Sequence, residues 1–161
     1  MVKLDKSDLA ILSALQRDGR MTKLRLAEVV GVSPTACWER LRKLEDAGVI
    51  GGYEARLDAG KLGRFTTVIV EVTLKSHRHA DFQRFEAAVR AEPLIVGCDA
   101  TGGGVDYVLR VVATDIDAYQ RMIDELLANE IGIDRYFTYV VTKSIKRDSL
   151  PLEALLGRGS P

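Results

Sequence analysis

Between Ser33 and Ile50 the apolar positions fall at a helical period. Cys37, Leu41 and Leu44 recur at i, i+4 and i+7, which predicts one buried stripe. The opposite face carries Thr35, Trp38, Glu39, Arg42 and Lys43, with Arg40 at its flank. Ser33 is a good N-cap, because its hydroxyl accepts a hydrogen bond from a free N–H of the first turn. Pro34 follows at the first helical position, where its missing N–H costs nothing. Gly48 marks the stop, since glycine takes the left-handed conformation without a Cβ clash.

Two helices precede this one. Asp5 to Asp18 buries Leu9, Ile11, Leu12 and Leu15, with Asp5 and Asp8 suited to be cap and N3 acid. Thr22 caps a short helix, KLRLAEVV, that presents Leu24, Leu26, Ala27 and Val30 and stops at Gly31. Two short helices joined by a glycine turn make a helix-turn-helix. In that motif the second helix enters the major groove and reads base edges with its N-terminal residues. An exposed tryptophan among hydroxyls and guanidiniums suits a groove better than bulk water. The plainer alternative, a solvated face of a small bundle, fits the same periodicity.

After Gly48 the stretch VIGGYEARLD leans toward strand character, as a small wing or as the start of a linker. Ala59 to Phe65, with two glycines, is the expected domain boundary. The period then changes from helical to two. In FTTVIVEVTLK, Val68, Val70, Val72 and Leu74 share one face, opposite Thr67, Ile69, Glu71 and Thr73. A helix from Ala80 to Ala91 follows, then strands from Ile95 to Thr101 and Tyr107 to Ala113. A helix from Asp117 to Asn129, with Tyr119, Met122, Ile123, Leu126 and Leu127 inward, precedes a last strand from Asp134 to Lys146. The order βαββαβ is the ferredoxin-like arrangement. The fold class is therefore α+β. A helix-turn-helix domain occupies 1–52, a linker 53–64, the ferredoxin-like domain 65–147 and a tail 148–161, which orders only if something docks it.

A ferredoxin-like domain stacks both helices on one sheet face and leaves the other bare. Ile69, Tyr136 or Phe137, and Val140 are the apolar residues for that face, and a mixed face of this kind predicts a homodimer. A symmetric dimer also supplies two reading helices for paired half-sites.

Charge alters this picture little. The chain is neutral overall, with +2 over residues 1–52 (nine Lys/Arg, seven Asp/Glu) and −3 over 65–161 (eleven and fourteen). DNA contact must therefore rest on local placement and multivalency. No long uncharged apolar run suggests a membrane span, and MVKLDKSDL is no signal peptide. Cys37 and Cys98 stand alone, as in a reduced cytoplasmic protein. His77 and His79 have weak metal spacing and read as a solvated loop. No nucleophile–base pair, metal cluster or phosphate loop supports an enzyme, and no cofactor is expected.

At Gly102-Gly103-Gly104 a permissive turn competes with a ligand cradle whose backbone N–H groups hold a carboxylate. Asp106 could meet an ammonium group, or simply accept local backbone bonds.

Leu4-Asp5, Gln16 to Arg20, Leu26-Ala27, Val32-Ser33-Pro34, Arg40-Leu41, Leu44-Glu45, Ala47 to Ile50, Gly52-Tyr53 and Leu62-Gly63 resemble the N-terminal half of an Lrp/AsnC (feast/famine) transcriptional regulator. Leu74 to His77, Phe85, Pro93, Cys98, Gly103, Asp106-Tyr107, Ala118-Tyr119, Lys146 and Leu150-Pro151 fit the same family's second half. The resemblance implies a winged helix-turn-helix that binds double-stranded DNA and a ferredoxin-like sensing domain. It implies dimers assembling into octamers or other multiples. It also implies an amino acid or a close relative as effector, bound between dimers near Gly102 to Asp106. Thr35, Trp38 and Arg42 then face the groove, Arg40 and Lys43 sit on phosphates, and Thr138 and Tyr139 line the effector site.

One departure stands out. The family has Thr or Ser, then Gly, two variable residues and Asp-Tyr, whereas here Gly102 takes the hydroxyl position. The triple glycine and Cys37-Trp38 resemble members that control catabolism of amino-acid derivatives, ectoine breakdown among them. An effector-independent architectural DNA-wrapping protein is the alternative; it would bind with strong salt dependence and little sequence preference.

Overall fold

A computed structural model describes residues 2–156, which form two compact units. The first unit takes residues up to Arg56 together with the chain from Lys146, and the second takes Leu57–Ile145. Three helices build the first: α1 (Lys6–Arg17), α2 (Lys23–Val30) and α3 (Pro34–Asp46). Their starts follow the sequence closely. Asp5 and Asp8 form a reciprocal capping box on α1, and Thr22 and Ser33 accept from the N–H groups of Arg25 and Ala36. Gly31 ends α2 at φ 75° and Gly48 follows α3 at φ 67°, left-handed values that suit glycine. The core they enclose contains Ile11, Leu12, Ala14, Leu26, Ala27, Cys37, Leu41 and Leu44.

Two stretches that the sequence leaves open take a definite form here. Residues 51–58 form no strand. Among the described residues the helical unit has no strand for them to pair with, and an unpaired strand leaves its backbone groups without a ladder. The tail from residue 148 does not stand apart either. α7 (Leu152–Leu156) packs against α1 and puts Leu152 into the helical core. Arg56 donates to the Arg147 carbonyl, tying the two ends of the unit together. Residues 157–161 of the predicted tail lie outside the described residues.

The second unit opens with one turn of helix, α4 (Ala59–Leu62). The rest is β1 (Thr66–Leu74), α5 (His79–Ala91), β2 (Ile95–Ala100), β3 (Tyr107–Ala113), α6 (Ile116–Ala128) and β4 (Ile133–Val140). The strands form one antiparallel sheet in the order β2-β3-β1-β4. Val68, Val70, Val72 and Leu74 point into a core shared with Phe85 and Val89 of α5 and Tyr119, Met122, Ile123 and Leu126 of α6. Asp115 caps α6, two residues before the predicted start, and Leu127 is exposed rather than inward. β4 ends at Val140, six residues early. Val141 makes a last bond to the Thr67 carbonyl, and β1 begins at Thr66, so a longer β4 would have no partner.

Register fixes what lies on the bare face. Ile69, opposite Tyr139, and Glu71, opposite Phe137, point there. Tyr136 and Val140 sit opposite Val72 and Val68 and so belong to the helix side. The exposed aromatics of β4 are therefore Phe137 and Tyr139.

Candidate nucleic-acid interface and effector site

α3 separates its duties cleanly. Cys37, Leu41 and Leu44 are buried, while Thr35, Trp38, Glu39, Arg42 and Lys43 are exposed along the outer side. Ser33 spends its hydroxyl oxygen on the cap, 3.3 Å from the Ala36 nitrogen. Arg42 approaches only Asp46, at 3.7 Å with both side chains mostly in water, an arrangement that holds the guanidinium weakly. Lys23, at the start of α2, sets its Nζ 3.1 Å above the Trp38 ring. The tryptophan is thus presented at the surface, 40% exposed, and backed by a cation.

Arg40, at the flank of that outer side, is engaged within the fold. Its Nη1 donates to Asp5 Oδ2 at 2.6 Å and to Asp8 Oδ1 at 2.8 Å. The Asp8 side chain is only 8% exposed, so Arg40 supplies the charge that a shielded carboxylate needs. It clasps α3 to the capping box of α1. The Asp8 N–H and Arg40 hold the Asp5 carboxyl below the usual carboxylate range, and the two acids raise the Arg40 guanidinium in turn. The sequence offered the cap but no sign of its partner more than thirty residues away.

In the sheet unit, the β2–β3 hairpin closes on Ala100 opposite Tyr107. Thr101 donates its hydroxyl to the Val105 carbonyl at 2.6 Å, spanning the glycines. Only Gly103, at φ 149°, needs to be glycine for its backbone, and around all three the space is open. Asp106 accepts from the Leu74 N–H at 2.8 Å and sits 3.0 Å from the His77 ring. These contacts, the backbone one first, hold its carboxyl below the usual range. Asp106 thus ties the hairpin to the end of β1, and an effector's ammonium would share it with His77.

Beside the hairpin lies a cavity of about 300 Å³ lined by Glu86, Val89, Arg90, Cys98, Ala100 and Tyr107. Arg90 donates to Glu86 at 2.7 Å and the Tyr107 hydroxyl donates to the same carboxylate at 3.1 Å. Burial first, and Glu86 second, push the Tyr107 phenol up to about 12. The cavity offers an anion, a cation and apolar walls at close range. Sequence reasoning missed Glu86 and Arg90; their i, i+4 spacing was visible, but not that the pair rims a cavity. Thr138 and Tyr139 do not join this group within one chain, because β3 and β1 separate β4 from β2. Thr138 instead bonds the Tyr119 hydroxyl on the helix side, and Tyr139 bonds Glu71 on the bare side.

Comparison with known proteins bears on both units. The profile of the Lrp/AsnC ligand binding domain matches residues 67–151, and a winged helix-turn-helix DNA-binding profile matches residues 4–50. The transcriptional regulatory protein DoeX of Halomonas elongata is 54% identical over 92% of this chain and 94% of its own. The leucine-responsive regulatory protein of Escherichia coli is 38% identical over 91% and 89%. A Neisseria meningitidis transcriptional regulator, solved in complex with L-Met, superposes with a TM-score of 0.88 at 35% identity, covering 96% of this chain and all of that one. Helices, sheet order and relatives agree: the chain belongs to the Lrp/AsnC family of transcriptional regulators.

Proposed function

We propose that this protein is a sequence-specific regulator that docks α3 in the major groove and whose DNA binding responds to an amino acid or amino-acid derivative. The observation that carries the DNA half is the outer side of α3. Thr35, Trp38, Glu39 and Arg42 are exposed there, and no side chain of the described residues ties them into the fold beyond the weak Arg42–Asp46 and Lys23–Trp38 contacts. Thr35, Trp38 and Arg42 read base edges, while Ser33 and Lys43 meet phosphates. Arg40 acts one step back, by holding α3 on α1.

The effector half rests on the hairpin and its cavity. Gly102, Gly103 and Gly104 leave backbone N–H groups open to a carboxylate, and Glu86 or Asp106 offers a charge for an ammonium. That pairing is what an α-amino acid requires. Support also comes from the relative solved with L-Met. Thr138 and Tyr139 contribute from a neighbouring copy, in homodimers that assemble into octamers or similar multiples. The effector shifts operator affinity by its differential affinity for two states of that assembly. No residue acts as a catalyst, and the protein works in the cytoplasm, where its two free cysteines stay reduced.

The test is a thermal-shift screen against amino acids and derivatives, with 2,4-diaminobutyrate and ectoine included. A specific ligand at one hundred times its dissociation constant adds about 2.7 kcal/mol of stability. One hit that is lost in Gly103→Val establishes a sensor. No hit, together with DNA binding of strong salt dependence and little sequence preference, makes this an effector-independent architectural protein.

A further inference from the structure

α2 carries one cation that the fold does not claim. Among the described residues Arg25 pairs with Glu28 at 3.0 Å, whereas Lys23 makes no ion pair. Its ammonium rests instead 3.1 Å from the centroid of the Trp38 ring. Both residues are exposed, and a cation over an indole face in water is held weakly. The two come from different helices. Lys23 opens α2, and Trp38 lies in the second turn of α3 on its outer side. The contact therefore parks a loosely held charge at the border between the helices, beside the side on which α3 offers Thr35, Glu39 and Arg42.

We propose that Lys23 is a phosphate-binding residue that trades the Trp38 ring for the DNA backbone when α3 enters the groove. The inference rests on the reading of α3 given above. An α-helix with its side chains is about 10–12 Å across, and the major groove is about 12 Å wide. A helix lying in that groove fills it, so a group that flanks the helix meets the phosphate wall rather than a base edge. The Lys23 ammonium flanks α3 in this way, because its stem starts on α2 and its head lies on a ring of the outer side. The first helix of a helix-turn-helix crosses the backbone, which brings the Lys23 stem to the same wall. The exchange is favourable because a phosphate carries a full charge, and the cation releases a condensed counterion in reaching it, while a ring face offers only a quadrupole. Lys23 thereby couples two events: the ring is uncovered as a phosphate takes the cation. A phosphate contact carries no sequence information, so Lys23 adds affinity and register and leaves base preference to Thr35, Trp38 and Arg42.

Anisotropy titrations of the full chain test this, on a DNA fragment selected from the source genome by binding and over salt from about 50 to about 200 mM. Lys23→Met keeps the stem and removes the charge. The slope of log affinity against log salt should become shallower by about 0.9 for each copy engaged, with the order of preference among sequence variants of the fragment unchanged. Lys23→Arg should restore the slope. Trp38 is the only tryptophan, so its emission reads the exchange directly. In the free protein Lys23→Met should shift that emission. The further change on adding DNA should be smaller than in the natural chain, since no cation is left to depart. Melting temperatures should stay together, because Lys23 is exposed. An unchanged slope in Lys23→Met, or an equal emission response with and without Lys23, overturns the exchange. If Arg42→Ala still weakens binding in that case, the reading of α3 stands and Lys23 alone is misassigned. If Arg42→Ala also binds as before, α3 is not the reading helix and both fall.

Discussion

The outer side of α3 and the bare face of the sheet are both exposed surfaces, yet their charges are held in different ways. The helix side carries side chains held by weak contacts at most, such as Arg42 at 3.7 Å from Asp46. The sheet face is apolar between its charges, and it shields one guanidinium nitrogen from water. Solvated, loosely held cations suit a polyanion, because they lose little on leaving water for phosphate or a base edge. A half-dry face with a shielded charge suits a protein surface that can complete it. The position of a charge relative to its neighbours, more than its presence, separates a side chain left free for a partner from one that builds the fold. Arg40 and Arg42, two positions apart, make the same point within one helix.

The sharpest way to break this contrast is to truncate both arginines. Arg42→Ala should cost about 1–3 kcal/mol of operator binding, roughly tenfold or more, and leave the melting temperature in place. Arg40→Ala should do the reverse first, lowering thermal stability because Asp8 is left shielded and unpaired; DNA anisotropy beside a melt separates the two. Equal loss of stability in both variants would erase the distinction. Next in size is Leu152→Ala. Its side chain is 9% exposed in the helical core, and truncation should cost about 2 kcal/mol, read by chemical denaturation. That loss should fall on the helical unit, so hydrogen exchange should speed up in α1 and leave β1 and β3 protected.

A smaller effect comes from acid. The folded Asp106 carboxyl titrates below the unfolded value of about 3.9, so its tie to Leu74 and His77 is at full strength above that pH. The contribution drains away as pH falls through the folded value. Asp106→Asn should therefore lower stability at neutral pH and flatten the acid limb of a melting-temperature profile. A limb of unchanged steepness would remove Asp106 from the groups that matter there. Smallest is the optical change at Trp38. Its emission should shift when DNA displaces the Lys23 ammonium from the ring, whereas no shift under confirmed binding would place it outside the interface.

Much of this was legible in the chain. The capping residues of the three N-terminal helices and the alternation of Val68, Val70, Val72 and Leu74 are local signals, and local signals predict elements well. The split of α3 into a buried and an exposed side followed from the same period. What stayed hidden depends on contacts distant in sequence. Arg40 meeting Asp5 and Asp8, Leu152 returning to the helical core, and Glu86 with Arg90 rimming a cavity need three dimensions. The end of β4 at Val140 is likewise set by a non-local partner. Its period of two continues past Val140, but the partner strand does not.

The proposed linkage between effector and DNA is open to one direct titration. A DNA fragment selected from the source genome by binding is titrated by anisotropy, with and without a saturating dose of the ligand that the thermal screen identifies. The apparent dissociation constant should move by roughly fivefold or more, and DNA should change ligand affinity by the same factor. A constant that stays put while the ligand is demonstrably bound would contradict it.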